Sequence, residues 1–253
     1  KGRPVFHAEL VKLKRSSVWV IAAILPLLAV TLGTINLANN RDVLDSGWES
    51  FTSQVVLFYG MLFSSLGVAL LASSVWRTEH RGTNWNLLLT TTLRPSRLVA
   101  AKAGVIAVVV AFMQLVLVVS TFTSGVLVLD LDGALPWQFA IVAALAVVAA
   151  LPLIAAQSLI SMLLKSFAAP VAICLLGSVI GIATITSATL RPFSAVIPQA
   201  INTRALTLGS TASLAESGGL TSGDVAPLLG TAVILAVALL LTTVAAIRTI
   251  KLR

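Results

Sequence analysis

Few residues in this chain could do chemistry, and they are scattered. There are two histidines, His7 and His80, in separate polar segments, and one cysteine, Cys174, inside an apolar run. A zinc protease needs His-Glu-x-x-His or a Cys/His cluster at ligand spacing, and neither occurs. A single cysteine excludes an intrachain disulfide and a redox pair. No Gly-x-Ser-x-Gly elbow presents a serine nucleophile, and no Gly-x4-Gly-Lys-Ser/Thr loop cradles phosphate. The sequence thus predicts a chain that is not an enzyme and holds no metal or cofactor; any ATP chemistry belongs to another subunit.

The chemistry that remains is that of docking. In the polar segment 76–97, Thr83 follows Gly82 and can cap a short helix that sets Trp85, Leu88 and Leu89 at i, i+3 and i+4. Arg94-Pro95 stops that helix, and Ser96 caps the next one. The apolar ridge is flanked by Glu79, Arg81, Arg94 and Arg97. An aromatic and leucine ridge with a charged rim suits a protein groove, and equally a helix lying flat on a membrane.

The elements that position this segment are membrane spans. Of 253 residues, 58% are hydrophobic and 10% charged, against roughly 25% charged in a soluble domain. A bilayer core of about 30 Å needs about 20 apolar helical residues, and six stretches qualify, near 17–36, 52–75, 99–129, 138–164, 168–189 and 225–247. The third exceeds a perpendicular span, so its first turns, Leu98 to Lys102, are expected in the interface or in a tilted helix. The segment 4–15 reads as an amphipathic helix with Phe6, Leu10 and Leu13 on one face and Lys12, Lys14 and Arg15 elsewhere. Such a helix is either an anchor in the headgroup plane or a contact for a partner.

Charge sets the orientation. With six spans, 14 of the 17 basic residues fall on the side of the N-terminus with two acids, leaving three bases and seven acids opposite. The positive-inside rule then places both termini in the cytoplasm. The net charge of +8 is therefore topological, and nucleic acid is not an expected partner. The expected fold is all-α and integral to the membrane, one transmembrane domain over 1–253 in the cell's inner (plasma) membrane.

Glu79, Gly82-Thr83, Leu87-Leu88-Leu89, Thr92, Arg97 and Lys102 together resemble the cytoplasmic loop of ATP-binding-cassette (ABC) permeases of the drug-export and lantibiotic-immunity type. Here Leu93-Arg94 separates Thr92 from Pro95, where that family often has Thr-Pro. Glu9-Leu10, Lys12-Leu13-Lys14-Arg15, Pro26 and Gly33 are similar to the same permeases, notably the six-span lantibiotic and bacitracin self-protection subunits. The resemblance implies a permease that exports amphipathic or lipophilic compounds, including antimicrobial peptides, and so confers resistance. Segment 4–15 becomes its connecting helix, and 82–92 its coupling helix in a groove of a cytoplasmic ABC ATPase dimer that binds ATP and Mg. Lys165 to Phe167 makes a smaller contact with that subunit, and a second permease chain, identical or similar, completes the transporter.

The longest loop toward the opposite side, 190–224, is either a surface loop or, as the resemblance implies, a pair of re-entrant helices. Within the spans the notable polar side chains are Asn36, Gln54, Gln114 and Gln157, and the span interiors contain no acid or base, which disfavours a proton-coupled carrier. Gly177 and Gly181 form a G-x-x-x-G pair, for packing within the bundle or across a dimer seam. The alternatives to an ATP-driven exporter are a membrane scaffold or sensor using the same loop, and a secondary carrier.

Overall fold

The computed structural model describes residues 3–14, 16–40, 43–44, 47–80, 94–210 and 220–249. Within them every regular element is helical. A short helix, α1 (Arg3–Leu13), precedes the first span, α2 (Val18–Asn39). The remaining spans are α3 (Trp48–Arg77), α4 (Pro95–Leu127), α5 (Trp137–Leu163), α6 (Ala168–Thr186) and α8 (Ser222–Thr249). The chain after α6 carries a 3-10 turn, Arg191–Ala195, and a short helix, α7 (Pro198–Leu206). The six long helices match the six stretches expected from hydropathy.

Hydrocarbon offers no hydrogen bonds, so each span satisfies its own backbone and only side-chain packing is left to arrange the helices. The most buried of the six, α3, packs against α2, α4, α5 and α6. Close approach depends on glycine: a Cβ on Gly33 of α2 would lie 3.1 Å from the backbone of Val55 in α3. Near its middle α3 widens into a π turn, Tyr59–Phe63. The outer faces of α6 and α8 stay apolar and exposed at Leu176, Val179, Ile234 and Leu241, as a lipid-facing surface must be.

Both described chain ends lie at one end of the bundle. There Phe6 of α1 packs on Gly104 of α4, and Ile247 of α8 clusters with Trp76, Val99 and Met162. This end carries Lys12, Lys14, Arg77, Arg94, Arg97, Lys165 and Arg248, and is called the basic end. The other, with Glu49, Asp130, Asp132 and Asp224, is the acidic end.

At the acidic end α7 is inserted between spans. Its Ala200, Ile201, Asn202 and Ala205 are fully buried. Thr203 Oγ1 donates to the carbonyl of Gly60 in the π turn at 2.8 Å, and Asn202 Nδ2 to Ser64 Oγ at 2.9 Å. Gly60 lies about 18 Å along α3 from Trp48 at 1.5 Å per residue, so α7 reaches near the middle of the span. Gly177 and Gly181 of α6 face α7: a Cβ on Gly181 would stand 3.1 Å from the Ala200 backbone nitrogen, and one on Gly177 would meet the Gln199 amide. The pair thus serves a contact inside the bundle.

Candidate functional site

The first helix is built to bury an acid. Phe6, Leu10 and Leu13 form its apolar stripe, and Glu9, at i+3 from Phe6, stands on the same stripe. Helix α1 lies along α4, and Leu13 is held from behind by the indole N–H of Trp19, which donates to the Leu13 carbonyl at 3.0 Å. Glu9 is consequently only 6% exposed. A carboxylate there costs several kcal/mol unless a cation meets it.

The cation is Lys102. The sequence pattern put this residue in the interfacial first turns of the third span, leaving the span interiors free of ionisable groups. Helix α4 begins at Pro95, and Lys102, two turns in, is 0% exposed, enclosed by protein rather than by solvent. Its ammonium lies 2.9 Å from Glu9 Oε2, 2.9 Å from Glu79 Oε1 and 3.1 Å from the Val75 carbonyl. A lysine has three N–H donors, and each has an acceptor. The Trp76 ring lies 5.2 Å from the ammonium, within cation–π range. Lys12 completes the cluster at 2.5 Å from Glu9 Oε1 and 3.6 Å from Glu79 Oε1. Two carboxylates and two ammonium groups make a neutral set, which is the condition for holding charge away from water.

The cluster tunes its members outside the spans. Burial pushes the Glu9 carboxyl up, but Lys102 and Lys12 together outweigh it and leave Glu9 below the ordinary carboxylate range. For Lys12 burial acts downward, and its bond to Glu9 with the field of both carboxylates raises it above the usual lysine value.

The segment leaving α3 is pinned on its other sides as well. His80 Nε2–H donates to the Ser161 carbonyl at the end of α5, at 2.9 Å. The Arg77 guanidinium lies 5.4 Å from the Phe167 ring centroid, in the turn between α5 and α6. The stem of the 81–93 segment is thereby tied to α1, α4, α5 and the α5–α6 turn at once. Among the described residues the site offers no nucleophile and no open coordination position; it fixes the stem, α1, α4, α5 and the α5–α6 turn to one another.

A family model, ABC-2 family transporter protein, matches residues 5–181. The chain belongs to the ABC-2 transporter family. The matched region runs from α1 through most of α6 and contains every member of the ion cluster. No curated protein and no solved structure matches the chain. As an ABC-2 family permease it is a multi-pass membrane subunit of an ABC transporter, a class in which ATP hydrolysis belongs to an associated ATPase.

The docking residues expected from sequence divide on this frame. Arg81, Gly82, Thr83, Trp85, Leu88 and Leu89 lie outside the described residues. Arg97 is exposed in the first turn of α4. Glu79 points inward, 4% exposed and engaged by Lys102 and Lys12, so it belongs to the stem and not to the rim of an apolar ridge. Sequence reasoning passed over Glu9 as a cluster member. Its signal was there: an acid inside the apolar stripe of an amphipathic helix requires a buried partner.

Proposed function

We propose that this chain is the permease half of an ATP-driven exporter of amphipathic or lipophilic compounds, coupled through the stem around Lys102 to a separate cytoplasmic ATPase. The observation that carries this reading is the three-way contact of the Lys102 ammonium with Glu9, Glu79 and Val75. A push on segment 81–93 reaches α3 through Glu79, and the ion cluster conveys it to α1 and α4, so these helices move as one body. On this reading the basic end faces the cytoplasm, α1 is the connecting helix, 82–92 the coupling helix, and α7 a re-entrant helix at the outer exit. ATP and Mg bind in the ATPase dimer, and a second permease chain completes the transporter. Antimicrobial peptides are the cargo class most in keeping with the resemblance of the loop to lantibiotic-immunity and bacitracin-resistance permeases. A secondary carrier is less well supported, because the one fully buried ammonium among the described span residues has all its donors occupied.

The test is co-expression with a candidate partner ABC ATPase. Trp85→Asp and Leu88→Asp together should abolish co-purification and ATPase stimulation while the permease remains in the membrane. A complex that keeps full stimulation with both substitutions ends the coupling reading.

A further inference from the structure

At the acidic end, far from the ion cluster, a cavity of about 310 Å³ opens between the first turns of α3, the start of α5 and the chain that follows α7. One wall is aromatic, formed by Trp48 and Phe139, with Leu206 beneath; the other is polar, with Glu49, Thr52 and Gln138. The aromatic wall is rigid. Trp48 and Phe139 are 8% and 7% exposed, and both pack on Phe122, at centroid distances of 6.1 Å and 6.2 Å. The six-membered ring of Trp48 sits on Gly125, where any Cβ would collide with it. Its indole N–H, although buried, has no hydrogen-bond partner.

Charge narrows the ligand. Among the described residues Glu49 is the sole ionisable one lining the cavity, and no described cation lies within ion-pair distance of it. It stands in the first turn of α3. The loop bearing Asp130 and Asp132 returns to the same aromatic cluster, its Leu131 N–H donating to the Gly125 carbonyl at 3.0 Å. An anion entering here meets the Glu49 carboxylate, whereas a cation meets Glu49 and two ring systems able to hold it.

We infer that this cavity binds the head of a cationic amphiphile: an ammonium against Glu49, with an aromatic or short alkyl stem along Trp48 and Phe139. Its volume is at the small end of ligand sites, enough for one such side group and not for a whole peptide. The inference names a cargo class for the exporter and takes its biological purpose from that reading, but binding itself needs no ATPase.

The experiment is equilibrium dialysis of radiolabelled 2-phenylethylammonium against the full chain in nanodiscs of zwitterionic lipid, with 2-phenylethanol as the neutral probe. Saturable binding of the cation, about tenfold or more tighter than the alcohol, is expected. Glu49→Gln, at an exposed position, should weaken the cation by about tenfold and leave the alcohol unchanged, while Glu49→Asp keeps most of the affinity. No saturable binding, or Glu49→Gln binding the cation as the parent does, overturns the proposal. Because no ATPase is present, that failure leaves the coupling reading standing; intact cation binding together with full ATPase stimulation by the Trp85 and Leu88 variants would end the coupling reading alone.

Discussion

Lys102 and Glu79 meet at 2.9 Å across the two ends of the segment that joins the second and third spans. The pair closes that segment into a loop with a charged clasp, and Glu9 fastens the clasp to the amphipathic first helix at 2.9 Å. His80 on Ser161 and Arg77 over Phe167 tie the stem toward α5 and the turn after it. The clasp adds α1 and a charged link to α4, which Trp76 also meets through Val99.

Substituting Lys102→Met leaves two buried carboxylates without their shared cation. Breaking a buried ion set from one side costs about 3–5 kcal/mol, so thermal unfolding in detergent should show a large loss. Glu79→Gln in the same background removes one orphaned charge and should recover part of it, with a coupling energy of about 0.5–3 kcal/mol in the double-mutant cycle. A Lys102→Met variant as stable as the parent, or strictly additive substitutions, would remove the cluster from its structural role.

Acid and alkali should attack the cluster through different members. Glu9 has its folded value depressed; its contribution is complete above the ordinary carboxylate range and is lost as pH falls through the lowered value. Lys12 has its folded value raised; its contribution is complete below the ordinary lysine range and is lost as pH rises through the raised value. Stability should therefore hold from mildly acidic to mildly alkaline pH and fall on both sides. Glu9→Gln should flatten the acid limb of a melting profile and Lys12→Met the alkaline one, the latter weakly because the Lys12 side chain is 48% exposed and screened by water.

The six spans were legible because hydropathy and length are properties of each helix alone. The ion cluster was not, because its members lie on α1, on α4 and in the turn after α3, and all but one look ordinary in their own context. Lys102 reads as one more basic residue flanking a span, and Glu79 as one rim charge among several. Only Glu9, on the apolar stripe between Phe6 and Leu13, conflicts with its local pattern. The π turn at Tyr59–Phe63 leaves no mark in composition either, since what it answers to is a hydroxyl, Thr203, more than a hundred residues away.

The two glycines of α6 should differ in what they tolerate. At Gly181 an added methyl would press on the backbone nitrogen of Ala200 at 3.1 Å, and backbone within a buried helix cannot step aside. Gly181→Ala should cost about 1–3 kcal/mol through overpacking and speed hydrogen exchange along α7. At Gly177 the obstacle is the amide end of Gln199, a flexible side chain that can swing away, so Gly177→Ala should cost less. Equal costs, with no change in α7 exchange, would count against an α7 position fixed by α6.

A last contrast separates the two polar bonds that hold α7 to α3. Thr203→Val keeps the shape but takes the hydroxyl from the Gly60 carbonyl, a bond of 2.8 Å in a buried setting. A loss of about 1–3 kcal/mol follows if that carbonyl finds no other donor. Asn202 is different, because its Oδ1 is already buried without a partner. Asn202→Leu removes that orphan together with the bond to Ser64, whose hydroxyl is free to rotate toward its own helix. The larger cost should therefore fall on Thr203→Val, although it is the more conservative substitution in volume. Melting temperatures in one detergent would decide it, and the reverse order would mean that the π turn does not depend on Thr203.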